Sequence, residues 1–253
     1  MSGGCLCGKN DCETVSSVKK TSLKKITVFL LIPGIGSALL IAAYFSGTPW
    51  LRAIISPSIN REYGLLENLQ LLMLLIIIAC AAFGIVIKRT RTEKTIMAVI
   101  LAASLFMFLE EFDYGLHYYR LLTGNPLVDS ETEKFINVHN IGEASPKFKL
   151  VGDLTLIVLF IVFPLFFSRS RNRLLRYLTP DRFFILTVIL MFVISRIAHV
   201  LEDGGVGGAG SLHGSISEFR ELLTYYVFAL YFFELVFRRN YREEPPWKRL
   251  PED

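Results

Sequence analysis

The sequence predicts an all-α, polytopic integral membrane bundle of six transmembrane helices with both termini in the cytosol. Three observations lead there. The 253 residues are 52% hydrophobic, with a positive mean hydropathy, which places the chain among membrane proteins and not soluble domains. Apolar runs recur at about the 20 residues a bilayer core requires. Lysine and arginine gather in alternate connections, as membrane orientation demands.

Taken in order, residues 1–25 read as a disordered, basic cytosolic tail, with Lys19, Lys20, Lys24 and Lys25 just before the first span. Residues 26–237 form the six-helix transmembrane domain, and residues 238–253 form a second cytosolic tail. The first helix is expected over Ile26 to Phe45, kinked or closely packed at Pro33, Gly34 and Gly36. Its apolar run exceeds a signal-peptide core and no cleavage site follows, so it reads as a true span. An outer loop over Gly47 to Arg61 places Trp50 at the interface. The second helix is Leu65 to Ile87, and the third is Thr95 to about Leu122. The loop Thr123 to Lys147 contains Asn137-Val138-His139-Asn140. The fourth helix is Phe148 to Phe167, the fifth Phe183 to Glu202, and the sixth Glu218 to Phe237. Gly204 to Gly210 reads as a flexible connector, with a mobile lid as the alternative.

The N-terminal tail, the second-to-third loop, the fourth-to-fifth loop and the C-terminal tail hold five, four, five and five of the 27 basic residues. Those four segments are therefore placed in the cytosol. The net charge of +4 is a sum over unlike segments. No basic stripe with interleaved aromatics suggests nucleic acid. Cys5, Cys7 and Cys12 lack a fourth ligand and ribbon spacing, so they read as tail thiols, with acylation or redox pairing as alternatives. Cys80 reads as a small core residue.

The acidic residues follow the opposite rule. Of the 23 Asp and Glu, 14 fall at outer helix ends or outer loops, and so do His117, His139, His199 and His213. Charge asymmetry does not require histidines to follow carboxylates, so the co-segregation points to a site. An ionised side chain at the centre of a membrane helix costs about 2.5–3.5 kcal/mol on insertion scales, and less near an interface. At the end of the expected third helix, Glu110, Asp113 and His117 fall at i, i+3 and i+7, on one face. Glu111 lies about 100° round from Glu110. Glu67 opens the second helix. His199, Glu202 and Asp203 share a face of the fifth, and Glu218, Glu221 and Tyr225 share a face of the sixth. Arg196, about two turns inside the outer boundary, needs a carboxylate or phosphate partner. Glu234 reads as a pair with Arg238 one turn on.

Three segments, Arg61-Glu62-Tyr63-Gly64-Leu65-Leu66-Glu67, Glu110-Glu111-Phe112-Asp113-Tyr114-Gly115 and Asn137-Val138-His139-Asn140, resemble a family of uncharacterised bacterial polytopic membrane proteins. That family carries Glu-Asp-Gly-x-x-Glu, Glu-Glu-x-x-Trp-Gly-Gln and Asn-x-His-Asn in the same order. This chain has Tyr114 and Leu116 where the family has Trp and Gln. The resemblance singles out Glu110, Glu111 and His139 and names no reaction.

The expected function is a metal-dependent hydrolase or transferase acting on a lipid or lipid-linked substrate at the outer leaflet. His117, His139 and His199 with Glu110 and Asp113 would hold a divalent metal such as zinc. Glu111 or Glu67 would serve as general base, with Glu202 beside them, and Arg196 would hold an anionic head group. A proton- or cation-coupled transporter and a non-catalytic membrane partner protein are the alternatives. A structural polar network tying helices together would use the same residues.

Overall fold

A computed structural model describes residues 23–56, 64–115, 122–123, 144–206, 216–237 and 239. Most of these residues are helical, with no strand among them. Helix α1 is Leu23–Tyr44, α2 is Pro49–Ile55, α3 is Leu65–Ile87 and α4 is Arg91–Glu111. Helix α5 runs through Ala144–Ile157, Val158–Val162 and Phe163–Phe166. Then follow α6, Arg173–Leu178, α7, Phe183–Asp203, and α8, Ile216–Phe237. Four of these, α1, α3, α4 and α7, are long and apolar enough to cross a membrane.

Helix α8 is the hub. It packs on α3 along one side and on α7 along the other; α4 backs onto α3, while α1 and α5 back onto α7. Its sequence explains the central place: Phe219, Leu223, Val227, Tyr231 and Leu235 recur every four residues and are all buried. The outer helices turn large apolar side chains outward, among them Leu39, Phe83, Val99, Phe106 and Val200. So broad an apolar exterior suits lipid and not water.

Two prolines shape the core. A proline ring clashes with the carbonyl four residues earlier and leaves it without its usual N–H partner. In both α1 and α5 the chain widens into a π-helical turn at that point: Thr27–Leu31 before Pro33, and Val158–Val162 before Pro164. The residue four before each proline is Phe29 or Phe160, and both rings pack on Phe184 at centroid distances of 4.7 and 5.3 Å. The stranded Phe29 carbonyl accepts from Thr187 Oγ1 at 2.7 Å, and Val28 O accepts from the Tyr226 hydroxyl at 2.6 Å. In a membrane such carbonyls need protein donors, because lipid offers none.

The basic end is tied together by ion pairs and carbonyls. Thr90 and Glu93 close a reciprocal cap on α4. Lys88, buried, lies 3.9 Å from Glu93 and donates to Arg239 O. Arg239 donates to Tyr177 O and Thr179 O and pairs with Glu234 at 3.4 Å. The sequence pairs Glu234 with Arg238, which lies outside the described residues; its described partner is Arg239. Lys25 pairs with Asp181. Burial pushes the Asp181 carboxyl up, but the Lys25 ammonium, the Phe183 N–H and the Arg239 charge outweigh it and hold it below its usual range.

Several expected boundaries move. Helix α4 ends at Glu111 and not near Leu122, because the chain turns over Asp113–Gly115, with Tyr114 at φ 51° and Gly115 at φ 81°. A Cβ on Gly115 would come within 2.9 Å of Phe112, so the turn uses glycine for both its φ and its lack of a side chain. Helix α5 is described from Ala144, inside the expected outer loop. The connector after α7 is described only as far as Val206. The tail cysteines Cys5, Cys7 and Cys12 lie outside the described residues, and Cys80 is buried beside Met97 and Val236 as expected of a core residue.

Candidate functional site: a groove under a carboxylate cluster

The antiparallel order of α3, α4 and α8 brings the first turns of α3 and α8 beside the last turn of α4. Each of those turns is acidic. Glu110 is 2% exposed and accepts from the Tyr114 hydroxyl at 2.6 Å. Tyr114 makes this contact from a left-handed backbone, at φ 51°. Glu111 accepts from the Tyr225 hydroxyl at 2.5 Å, a bond that joins α4 to α8. Glu218 accepts from Gln70 Nε2 through its carboxylate at 2.9 Å and its backbone carbonyl at 3.2 Å, which joins α3 to α8. Gln70 is fully buried, and its Oε1 has no hydrogen-bond partner among the described residues. Glu67, one turn before Gln70, is 7% exposed. Glu218 and Glu221 also lie within electrostatic range of the Tyr225 hydroxyl.

Below this cluster lies a cavity of about 440 Å³ between α3, α4, α5 and α8. Its apolar wall includes Leu74, Ile77, Ile100, Met107, Leu156 and Phe228. Glu111, Asp153, Arg220, Glu221 and Tyr225 line the same cavity. Arg220 Nη1 lies 3.3 Å from Asp153 Oδ2, which couples α8 to α5. Glu111 and Val99 both line the cavity twelve residues apart on α4, so it extends for roughly 18 Å along that helix at about 1.5 Å per residue. The hydrocarbon of one leaflet is half of a core about 30 Å thick, so the groove is about one leaflet deep. Val99 is 64% exposed, so the cavity has a side open to the surroundings of the bundle.

The residues singled out by the sequence fare unequally. Glu67, in the first turn of α3, and Glu110 and Glu111, in the last turn of α4, lie at the same end of the bundle, and of the three only Glu111 lines the groove. Glu202 is half-buried near the end of α7, with its Oε1 withdrawn from solvent. Arg196 and His199 are exposed, on the side of α7 that carries Val193, Ile197 and Val200. Arg196 thus sits outside the core, where the sequence expects a guanidinium paired within it. Asp113 lies in the turn after α4, past the helical face expected to carry it, and its side chain lies outside the described residues. His117, His139 and His213 also lie outside them. Among the described residues no group of three or more His, Cys, Asp or Glu side chains is arranged to hold a metal.

Asp153 and Arg220 were not singled out from the sequence as site residues. Their signal is visible afterwards: an aspartate at the start of the apolar part of its helix, after Lys147 and Lys149, and the only arginine of the last span. Comparison with known families, with curated proteins and with solved structures finds no match for this chain.

Proposed function

We propose that this is a six-span protein of a bacterial cytoplasmic membrane, both tails in the cytosol, that takes one long-chain lipid or lipid-linked molecule from the outer leaflet into the groove. It acts on that molecule as a hydrolase or transferase at the carboxylate end. The observation behind the reading is one cavity that combines a one-leaflet apolar depth with ionisable groups gathered at its outer end. Glu111 is the general base: it lines the groove, and Tyr225 orients it. It takes the proton of a water or of an acceptor hydroxyl. The oxygen so freed replaces the leaving oxygen of the substrate, and the proton passes to that leaving oxygen. Glu67, more deeply buried and not on the wall, supports the cluster. Arg220, and not Arg196, stands where a head group arrives.

A divalent metal such as zinc was expected on His117, His139, His199, Glu110 and Asp113. The described members do not assemble a ligand set, so no step here runs through a metal. Metal analysis of purified protein addresses this directly: bound metal that is lost in His139→Ala would return those residues to the site.

The test of the lipid reading is native mass spectrometry of protein released from nanodiscs. A co-purifying single lipid should be present in the wild type and absent when Ala103→Phe fills the groove. Equal lipid retention by both proteins would overturn it. Solute uptake into proteoliposomes that depends on Glu110 would replace it with the transporter reading, which two carboxylates held away from water, Glu67 and Glu110, would equally serve.

A further inference from the structure

The end of the bundle opposite the carboxylate cluster carries charge that the fold leaves unmatched. Its described acids are Glu93, Asp181 and Glu234, and each is held by a cation of its own: Lys88 at 3.9 Å, Lys25, and Arg239 at 3.4 Å. Arg89, Arg91, Arg169, Arg171, Arg173 and Arg182 are exposed at the same end. None of them pairs with a carboxylate among the described residues, so their counter-charge comes from outside the protein. Three of these arginines stand on one short connection, between α5 and α6, where Arg169, Arg171 and Arg173 alternate with Ser170 and Asn172. Ser170 Oγ accepts from the Asn172 N–H at 3.2 Å, and Asn172 Oδ1 accepts from the Leu174 N–H at 2.9 Å. Arg176 donates to Ser170 O at 3.4 Å. The residues between hold the connection, and the side chains of the three arginines take no part in it. Apolar surface adjoins them: Leu165 and Phe166, in the last turn of α5, are 52% and 73% exposed, and Leu174 is exposed too. No acid occurs in the sequence from Leu154 to Pro180.

We infer that this connection is a binding site for an anionic phospholipid of the adjoining leaflet. The phosphate lies among Arg169, Arg171 and Arg173, and the acyl chains run along Leu165 and Phe166. A guanidinium offers a planar fork of N–H donors that holds two phosphate oxygens at once. A soluble phosphate would meet the same charge but leave the apolar side chains beside it uncovered. A zwitterionic lipid brings its own ammonium, which offsets the attraction. Each Lys or Arg beside an anionic leaflet strengthens binding roughly fivefold, and less where salt screens it. The inference is independent of what fills the groove.

The experiment titrates full-length protein in detergent micelles with dioleoyl phosphatidylglycerol or dioleoyl phosphatidylcholine, and native mass spectrometry counts the bound lipid. The two lipids share their chains and differ in head-group charge. Wild-type protein should bind phosphatidylglycerol on the order of tenfold more tightly, and the preference should shrink as salt rises. The triple variant Arg169→Gln, Arg171→Gln, Arg173→Gln should bind both lipids alike, with its phosphatidylcholine binding at the wild-type level, which also reports that it is folded. Lysine at the same three positions keeps the charge without the fork and should retain part of the preference. Arg89→Gln with Arg91→Gln, at the same end but off the connection, should retain most of it. Equal binding of the two lipids by wild-type protein would overturn the inference, as would an undiminished preference in the triple glutamine variant. An equal loss in the Arg89 and Arg91 variant would replace the site with a diffuse field. Displacement of the lipid by an equal concentration of inorganic phosphate would assign the arginines to a soluble anion instead.

Discussion

Replacing Tyr225 by phenylalanine removes one oxygen from a side chain that is 9% exposed and leaves its ring in place. That oxygen donates to Glu111 at 2.5 Å, so the change severs the bond between α4 and α8 at the carboxylate end. A hydrogen bond to a charged acceptor contributes about 1.5–3 kcal/mol. Glu111 is half-buried, so solvent screens part of this, and the lower end, about 1.5 kcal/mol, is expected. Glu111→Gln keeps an acceptor oxygen but not the charge and should cost about half as much through this bond. Glu111→Ala removes the acceptor altogether. The double-mutant cycle of Tyr225→Phe with Glu111→Ala should then return a coupling of about 1–2 kcal/mol. The assay is unfolding of purified protein in mixed micelles by titration with SDS, followed by tryptophan fluorescence. A coupling below about 0.5 kcal/mol, within the error of independent sites, would mean that α8 does not hold Glu111. The assignment of Glu111 as an oriented base would then fail with it.

Two glycines should answer oppositely to the same substitution. Gly115→Ala is expected to destabilise the protein by about 1–2 kcal/mol in that titration, since φ is 81° and the new Cβ would lie 2.9 Å from Phe112. Gly152→Ala, in α5 with nothing within 4 Å, should be neutral or stabilising by up to about 1 kcal/mol. At the other end, Asp181 titrates below its usual range, so its bond to Lys25 contributes stability above the unfolded carboxylate value, near pH 4. That stability is lost as pH falls through the lower folded value. The effect should be below about 1 kcal/mol, because both partners are partly exposed. Melting temperatures at pH 7 and pH 3 should differ less in Asp181→Asn than in the wild type, and an identical pH response would refute the pairing.

Much of the scaffold was legible from composition and spacing. Helix α3 has the bounds the apolar run suggests, Leu65–Ile87, and α7 and α8 begin and end within two residues of expectation. Such runs are long, and their ends are marked by charge, so one-dimensional hydropathy suffices. Helix α4 was misjudged at its end because Phe106 to Leu122 keeps a helical pattern of apolar residues. Only the backbone reveals that Tyr114 and Gly115 leave the helix. Proline at 33 suggests a kink; that both Pro33 and Pro164 sit behind a widened turn aimed at Phe184 is a matter of three-dimensional packing.

The candidate site divides in the same way. The gathering of acids at one end is a property of the sequence, since alternating topology assigns each helix end to a side before any packing is known. The end of the bundle at which each acid lies was therefore legible in the chain alone. Which of those acids share a wall was not, because it depends on how each helix is rotated about its axis and on which neighbours it chooses. Glu111 turns toward α8 and Arg196 turns outward, although both lie toward the C-terminal ends of apolar helices. Rotation is set by the sum of many small packing contacts around α8, in which no single residue announces its direction. The pairing of Arg220 with Asp153, the tie from Tyr225 to Glu111 and the groove beneath them belong to that sum, and they exist only in the folded protein.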